Sequence, residues 1–296
     1  MNNQVLDAMV TLGLTTPEAL EPYYPQVRDN PEIEVLRCRR TGALLLSRSD
    51  HQDPDYHEAK QKLTQASTEE QAYHDALFRQ SITDDQLRAH KHESLILNQR
   101  WLDVGTGGGG ILQLLGRKAK TAHGVEPNRR DREHLQQHGT LCFASIDDVP
   151  ENPPYDVVTL FHVLEHIQDQ PEFLRAIRRR MAPGGTLVVE VPHARDLLLS
   201  LFDLNAFKQF TFWSEHLVLH TRTTLLTFLQ AAGFQRVTIE GIQRYPLANH
   251  LRWLVEGKPN GHRDWSHLRA EDLDTAYANL LARLDMTDTL LATAIA

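Results

Sequence analysis

Four consecutive glycines follow a short apolar segment and open a helical pattern, and this arrangement constrains the fold more than any other feature. The stretch reads Arg100-Trp-Leu-Asp-Val-Gly-Thr-Gly-Gly-Gly-Gly110 and continues as Ile111-Leu-Gln-Leu-Leu115. Glycine allows the main chain to turn with positive φ and to approach a ligand closely. Gly105, Gly107 and Gly110 fit the spacing G-x-G-x-x-G. The sequence therefore predicts a nucleotide-like cofactor beside this turn.

Strand and helix patterns alternate from residue 101 onward. Short apolar segments are separated by helical patterns that end at glycine or proline. Such alternation is typical of an α/β fold in which a doubly wound, mostly parallel sheet is covered by helices on both faces. We predict a Rossmann-like sheet of seven strands. The segments with the clearest strand pattern are 101–104, 121–125, 141–145, 155–161, 186–191 and 234–239.

The two flanking regions lack this alternation. Residues 1–98 are predicted to form a helical and hairpin accessory region, and 99–245 the cofactor-binding domain. Within that domain, residues from about 193 to 220 are expected to form a substrate-wall insertion. Residues 246–296 are predicted to form a helical extension, because apolar residues recur there at helical spacing from Leu273 to Leu284. We expect it to pack on the domain, to act as a lid or to join two subunits.

The accessory region contains a predicted hairpin. Residues 33–38 and 43–47 read as strands, and Arg39-Arg-Thr-Gly42 between them is turn-like. Helical spacing follows over 55–79 and 83–98.

Composition limits the possible partners. The chain has 296 residues, a net charge of -8 and no long block of lysine and arginine, so nucleic acid is not predicted as a partner. No apolar run reaches the roughly 18 residues that cross a membrane. The first residues lack the pattern of a signal peptide, and the two cysteines, Cys38 and Cys142, are expected to be reduced. These observations predict a cytoplasmic protein, monomeric or homodimeric, with a small-molecule partner.

An acidic residue at the end of the second predicted strand narrows the cofactor. Glu126 lies about 20 positions after Gly105, where a carboxylate accepts hydrogen bonds from both hydroxyls of a ribose. The glycine turn and Glu126 together fit NAD and S-adenosylmethionine equally well.

The later segments separate these two cofactors. Five segments occur in order: Leu102-Asp-Val-Gly-Thr-Gly107, Val125-Glu126, Asp156-Val-Val158, Val163-Leu-Glu-His166 and Ala182-Pro-Gly-Gly185. This combination resembles class I S-adenosylmethionine-dependent methyltransferases, and the resemblance covers residues from about 95 to 240. It favours S-adenosylmethionine over NAD, and it implies no metal, since the sulfonium already makes the methyl group electrophilic.

The resemblance implies roles for individual residues around the cofactor. The glycine turn would line the methionine and ribose, Asp103 would support the turn or the cofactor amino group, and Glu126 with Pro127 would hold the ribose. Ser145 and Ile146 would flank the adenine, while Asp147 stands one or two positions late for the usual adenine contact. The residues expected to touch the cofactor are Asp103, Gly105, Thr106, Gly107, Glu126, Pro127, Ser145, Ile146, Asp147, Phe161 and His162.

Two patterns resemble zinc sites, and neither predicts zinc. His162-Val-Leu-Glu-His166 fits H-x-x-E-H, but zinc hydrolysis needs both histidines on one helix face, and His162 ends a predicted strand. Cys38-Arg-Arg-Thr-Gly42 looks like half of a zinc knuckle whose second cysteine is Thr41. Two cysteines in the whole chain cannot form a four-thiolate site.

The methyl acceptor is expected beyond the fourth and fifth strands. Methyl transfer is an in-line displacement that needs positioning, and a hydroxyl acceptor needs a base for its proton. The candidate catalytic residues are His162, His193, Glu215 and His216. We expect His216 to be the base and Glu215 to orient it; the alternative is that His216 only shapes the loop.

The acceptor is predicted to be a hydroxyl of a sugar or another secondary metabolite. Glu215-His216, followed by a helix and Ala-Gly-Phe234, is similar to nucleotide-sugar and lipopolysaccharide-type methyltransferases, and quinone-precursor methyltransferases share Val163-Leu-Glu-His166. Some sugar C-methyltransferases carry Tyr-x-Glu-His where this chain has Trp213. The alternatives are sugar C- or N-methylation and a cofactor-binding regulatory subunit without catalysis.

Overall fold

The computed structural model describes residues 3–52 and 70–296. Most of the helix predicted over 55–79 lies outside these residues. One long helix begins at residue 70 and includes most of the second predicted helical segment, 83–98. The helices are α1 (Gln4–Thr11), α2 (Glu70–Ile96), α3 (Gly110–Leu115), α4 (Arg129–Gln137), α5 (Gln170–Arg179), α6 (Leu197–Ser200), α7 (Asn205–Thr211), α8 (Arg222–Ala231), α9 (Leu247–Glu256), α10 (Gly261–Asp264) and α11 (Glu271–Leu284).

The strands form two sheets. The larger sheet has seven strands and confirms the predicted α/β, Rossmann-like class. In chain order the strands are β1 (Leu20–Tyr24), β2 (Val35–Cys38), β3 (Leu44–Leu46), β4 (Arg100–Val104), β5 (Thr121–Val125), β6 (Leu141–Phe143), β7 (Tyr155–Phe161), β8 (Met181–Pro192), β9 (Val218–Leu219), β10 (Gln235–Ile242) and β11 (Thr289–Ile295).

The central sheet is doubly wound around β4. Its spatial order is β10-β11-β8-β7-β4-β5-β6. Neighbours from β8 to β6 pair in parallel, and β11 is antiparallel to both β8 and β10. Trp101, Leu102 and Val104 of β4 are buried, as expected for a central strand covered on both faces. The order of the strands reverses beside β4, which places the glycine turn where ligands bind in such sheets.

The predicted helical extension over 246–296 is only partly correct. Helices α9, α10 and α11 lie there, but residues 289–295 form β11 between β8 and β10. This segment is apolar at nearly every position and mostly buried, which suits an inner strand. Leu273, Leu280 and Leu284 of α11 are 42–48% exposed, so most of the predicted apolar stripe is not packed.

The accessory region is joined to the substrate wall by a second sheet. The predicted hairpin is confirmed by the antiparallel pairing of β2 with β3. Strand β1, which was not predicted, adds to one side, and β9 from the predicted wall adds to the other. Met9 of α1 and Leu45 of β3 belong to the same buried cluster as Leu160 and Val189 of the central sheet. The N-terminal region and the sheet therefore share one core.

No helix in the part of the chain that the structure describes is long and apolar enough to cross a membrane.

Candidate functional site

The glycine turn after β4 adopts the backbone that its sequence predicts. Gly105 has φ +73°, and an added Cβ would lie 2.3 Å from Val163 Cγ2. Its N–H donates to the carbonyl of Val125, 2.8 Å away. Gly109 has φ +75° and precedes α3, whereas Gly110 is the first residue of that helix. The glycine with positive φ at the end of the turn is therefore Gly109. The motif spacing selects Gly110, one position later.

Glu126 lies at the tip of β5, directly beside this turn. Its carboxylate is buried, with Oε2 accepting from the Gly107 N–H at 2.7 Å and Oε1 from the Asn128 N–H at 2.8 Å. Burial raises the pKa of Glu126 to about 7, against the effect of these two N–H groups. Pro127 is exposed. Predicted contacts of Glu126 and Pro127 with a ribose are compatible with this position and stay predictions.

Asp103 connects two strands below the turn. Its Oδ1 accepts from Thr159 Oγ1 at 2.6 Å, and Thr159 Oγ1 in turn accepts from Trp101 Nε1 at 2.9 Å. Burial raises the pKa of Asp103 to about 7. This chain of hydrogen bonds links β4 to β7, in agreement with a supporting role for Asp103. Thr106, next to Gly105, is also nearly buried.

The residues expected near the adenine follow β6. Ser145 donates from its N–H and from Oγ to Asp148 Oδ2, at 3.0 and 2.8 Å. Ile146 is buried. The Asp147 side chain is 80% exposed and lies 3.5 Å from the Arg180 guanidinium. The adenine contacts of Ser145, Ile146 and Asp147 stay predictions.

His162 follows the last residue of β7, as predicted, with an unusual φ of +58°. Its Nδ1 lies 3.1 Å from Glu165 Oε1, and its Nε2 lies 3.0 Å from Glu190 Oε1 and 2.6 Å from Arg244 Nη1. Burial and Arg244 lower the pKa of His162, but the two carboxylates raise it further, so the net shift is upward. Both ring nitrogens are therefore engaged.

Helix α2 covers the ends of β7 and β8. Arg88 Nη2 lies 2.5 Å from Glu190 Oε1, and the Arg88 guanidinium lies 4.8 Å from the ring centre of Phe161. Asp84 of the same helix pairs with Arg244. Sequence reasoning missed Arg88, Glu190 and Arg244. A carboxylate in the otherwise apolar β8 was the available signal, because a buried charge needs a partner.

Glu165, His166 and His216 meet at the base of the predicted substrate wall. One potential ligand atom from each lies within 4.8 Å of the other two. The two imidazole ring centres are 5.0 Å apart. The Leu217 N–H donates to the Glu165 carbonyl at 2.9 Å, which ties the wall to the turn after β7.

The pKa values of Glu165 and His216 in this cluster are both lower than usual. Burial works to raise the pKa of Glu165, but the hydrogen bond and charge of His162 lower it to about 2. Burial lowers the pKa of His216 to about 3, helped by His166 and opposed by Glu165. The acid whose charge acts on His216 is thus Glu165, and the predicted orienting role of Glu215 stays a prediction.

His193 has a different environment. It is buried, its Nδ1 lies 3.0 Å from the Thr287 carbonyl, and its backbone forms a bridge with His220. Burial lowers the pKa of His193 to about 4. His193 is not among the residues that line the cavity described next, so its position does not support the predicted catalytic role.

A cavity of about 510 Å³ opens beside His162 and His216. Its wall combines aromatic rings with groups that form hydrogen bonds, and helices α7 and α9 supply most of the rings. Asp196 on this wall is buried, and burial together with Asp288 raises its pKa to about 8. The residues that define the character of the wall are His162, Asp196, Phe207, Phe210, His216, Arg244, Tyr245, Trp253 and Asp288.

The strand order, the glycine turn and the buried acid at the tip of β5 define an α/β protein with a binding edge for a nucleotide-like cofactor. The family described as "Methyltransferase domain" matches residues 56–239, which is more than half of the chain. The chain belongs to this family. It is a class I methyltransferase whose cofactor is S-adenosylmethionine, as its sequence motifs predict.

Two ubiquinone biosynthesis O-methyltransferases are similar in sequence to parts of the chain. The chain is 30% identical over 99 residues to the ubiquinone biosynthesis O-methyltransferase of Caulobacter sp. (strain K31), covering 30% of this chain and 39% of that protein. It is 24% identical over 182 residues to the human mitochondrial ubiquinone biosynthesis O-methyltransferase, covering 55% and 49%. The chain thus spans less than half the length of these two relatives.

A solved structure shares the fold. The S-adenosylmethionine-dependent methyltransferase of Archaeoglobus fulgidus superposes with a TM-score of 0.51 at 20% identity, covering 74% of this chain and 96% of that one.

Proposed function

We propose that the chain transfers the methyl group of S-adenosylmethionine to a hydroxyl of a small molecule, such as a sugar or another secondary metabolite. The cavity beside His162 and His216 carries this proposal. Its volume of about 510 Å³ is within the range of small-molecule sites. A cytoplasmic location and a monomeric or homodimeric state stay predictions from the sequence.

The wall of the cavity suits a ring with polar substituents. Trp253 packs edge-on against Phe207, with ring centres 5.2 Å apart, and Phe210 lies at the same distance on another side. Aromatic faces of this kind hold the flat, apolar faces of sugars and phenols. Asp196 and Arg244 provide the convergent polar groups that fix orientation in such sites.

Oxygen is favoured as the acceptor atom by two observations. Both relatives compared above are named as O-methyltransferases. In addition, histidines line the cavity at the carboxyl end of β7, where proton removal from a hydroxyl would be needed.

A good base needs a raised pKa and a nitrogen without a partner, and His162 and His216 each have only one of these two properties. His162 has a raised pKa, but both of its nitrogens are engaged. His216 Nδ1 is buried without a hydrogen-bond partner among the described residues, and burial lowers the pKa of the ring to about 3. We retain His216 as the catalytic histidine, because it lines the cavity and its Nδ1 has no hydrogen-bond partner in the part of the chain that the structure describes.

Product analysis tests the proposal directly. The purified protein is incubated with S-adenosylmethionine and a panel of sugar nucleotides and phenolic compounds, and products are sought by mass spectrometry as additions of one methylene unit. We expect an O-methylated product whose formation is abolished in His216→Asn, with the affinity for S-adenosylhomocysteine retained. His138→Asn, at an exposed position directly after α4, is the matched control.

Three results would contradict the proposal. Methylation at carbon or nitrogen of a sugar would support the alternative transferases. Cofactor binding without turnover on any acceptor would support the regulatory subunit. Full turnover in His216→Asn would remove this residue from catalysis.

A further inference from the structure

We propose that Glu165, His166 and His216 bind one divalent transition-metal ion at the edge of the acceptor cavity. The binding site stands on its own geometry, and its role in methyl transfer rests on the function proposed above. This inference departs from the expectation that the chain needs no metal.

The three side chains are close enough to share one ion. Their potential ligand atoms lie within 4.8 Å of one another. Ligands about 2.1 Å from a metal ion are separated by roughly 3–4 Å. Small rotations of the side chains would therefore bring all three into contact with one ion.

The backbone holds the ligands in this arrangement. Glu165 and His166 lie in the turn after β7, and His216 lies in the wall. The hydrogen bond from the Leu217 N–H to the Glu165 carbonyl, 2.9 Å long, fixes the wall against that turn. The positions of the ligands are thus set before any ion binds.

Two atoms of the cluster have unsatisfied hydrogen-bonding capacity. Glu165 Oε2 and His216 Nδ1 are buried and have no hydrogen-bond partner within residues 3–52 and 70–296. Leaving a buried polar atom unpaired costs about 1–3 kcal/mol. A bound cation would satisfy a carboxylate oxygen and an imidazole lone pair at once.

The second oxygen of Glu165 already has a partner. Oε1 lies 3.1 Å from His162 Nδ1, so the carboxylate is oriented with Oε2 directed elsewhere. Residues that hold a ligand in this way are a usual part of metal sites. His162 would be a positioning residue for the ion, and Glu190 and Arg244 would in turn hold His162.

The set of ligands selects the class of metal. Two imidazoles and one carboxylate suit Zn²⁺, Fe²⁺ or Co²⁺, whereas Mg²⁺ and Ca²⁺ prefer oxygen ligands. Three protein ligands leave coordination positions open. His216 lines the cavity, so an open position would face the acceptor.

Such an ion would activate the acceptor hydroxyl, and His216 would then act as its ligand and not as the base that accepts the proton. A hydroxyl bound to a divalent cation loses its proton at lower pH, so no strong base is needed. The acceptor oxygen would form the new bond to the methyl carbon while the carbon–sulfur bond breaks. The electron pair of the carbon–sulfur bond goes to sulfur, which becomes the neutral thioether of S-adenosylhomocysteine. The hydroxyl proton goes to water.

Binding of Co²⁺ tests the site. The metal-free protein is titrated with Co²⁺ and followed by the visible absorption of the bound ion. We expect one equivalent to bind, and Glu165→Gln and His216→Asn to weaken binding by about 100-fold or more. Circular dichroism and the affinity for S-adenosylhomocysteine show whether each variant is folded. If Glu165→Gln does not fold, His216→Asn and His166→Asn decide the outcome.

A second histidine pair provides the matched control. His134 of α4 and His138, the residue directly after that helix, lie one turn apart with ring centres at 4.3 Å, and could hold Co²⁺ adventitiously. His138→Ala should leave the bound equivalent unchanged. The site is refuted if the folded wild-type protein binds no Co²⁺, or if His138→Ala removes binding that His216→Asn retains.

Turnover measurements distinguish metal binding at this site from a role of the metal in methyl transfer. Once an acceptor is identified, the protein is assayed after chelation and again after addition of Co²⁺ or Zn²⁺. We expect turnover to fall at least tenfold and to recover. Unchanged turnover in protein shown to be metal-free would refute the role and leave the site standing. Failure to methylate any hydroxyl would refute the proposed function, while Co²⁺ binding would still stand.

Discussion

The cofactor edge, residues 105–110 with Glu126, is held by backbone hydrogen bonds, whereas the acceptor wall, residues 193–220, is held largely by groups from distant parts of the chain. The Gly105 and Thr106 N–H groups both donate to the Val125 carbonyl. In the wall, Ser214 donates to Asp29 and its carbonyl accepts from Gln52.

This difference has a physical consequence. A site made from backbone depends on φ, ψ and free space, so it is recognisable from glycine positions within one strand–helix–strand unit. A site made from distant side chains depends on partners that the local sequence does not contain. Substitutions should therefore affect the two regions through different mechanisms, and the following experiments test this expectation in order of decreasing effect.

Replacing Arg88 with methionine should have the largest effect. Its side chain is 13% exposed and pairs with that of Glu190, which is 6% exposed. Removing the guanidinium leaves a buried carboxylate with His162 as its remaining neighbour, and such losses cost about 3–5 kcal/mol. Urea unfolding measures the change.

Lys91→Met is the control on the same helix. Lys91 pairs with Glu240, and both side chains are largely exposed, at 42% and 59%. Exposed pairs contribute at most about 1 kcal/mol. Equal losses in Arg88→Met and Lys91→Met would mean that buried side-chain pairing does not hold α2 over the acceptor side.

Gly105→Ala should destabilise the protein by about 2–4 kcal/mol and weaken cofactor binding. The new Cβ would meet Val163 Cγ2 at 2.3 Å, at a φ of +73° that disfavours a side chain. Gly184→Ala has a similar φ of +79° and nothing within 4 Å, so it should cost only about 1–2 kcal/mol. Thermal unfolding compares the two.

The double variant Gly105→Ala/Val163→Ala separates the two causes. Val163 Cβ is 3.5 Å from the added Cβ, which is an ordinary contact. We expect the second substitution to recover the part of the loss that comes from the clash. No recovery would show that backbone strain alone sets the cost.

Glu126→Gln should weaken the affinity for S-adenosylhomocysteine by about 1.5–3 kcal/mol, because the ribose hydroxyls lose a charged acceptor. Burial raises the pKa of Glu126 to about 7. Hydroxyl donors favour its ionised form, so wild-type affinity should fall as the pH drops below about 7.

Calorimetry at several pH values distinguishes the loss of this ribose contact from a general disturbance of the fold. The affinity of Glu126→Gln should change little with pH over the same range. Glu133→Gln, which alters an exposed acid paired with Arg129 on α4, should behave as the wild type. A Glu126→Gln protein with wild-type affinity would show that the acid does not hold the ribose.

Ser214→Ala should have the smallest effect, about 1 kcal/mol in urea unfolding. It removes the hydrogen bond from Oγ to Asp29 Oδ2 and leaves the one from the Ser214 N–H to Oδ1. Ser200→Ala, on the exposed face of α6, should change stability by less than about 0.5 kcal/mol. A loss well above 1 kcal/mol would show that this one hydroxyl dominates the attachment of the wall.

The sequence was sufficient for the elements whose patterns are local. The alternating strands and helices predicted the central sheet, and Gly105 with Glu126 predicted the place of the cofactor edge. Strand β11 was missed because its helical neighbours α9 to α11 dominated the pattern, and because its partners β8 and β10 lie far away in the chain.

The acceptor side could be predicted only in part. His162 and His216 could be predicted as candidates, because histidines next to the ends of strands are visible in the sequence. Their partners Glu190 and Arg244 were not, since the contact of Arg244 with His162 joins residues 82 positions apart. No local pattern encodes such a pair; it exists only when β8, β10 and α2 are in place.

The position of β11 also bears on synthesis. During translation, β10 leaves the ribosome before β11, yet among the described strands β10 pairs with the sheet only through β11. A nascent chain that has released residue 242 therefore has an incomplete sheet that ends at β8, with the edge of that strand unpaired. The order of synthesis therefore delays closure of the sheet until after helices α9 to α11 have emerged, and the edge of β8 is open to pairing with other chains until then.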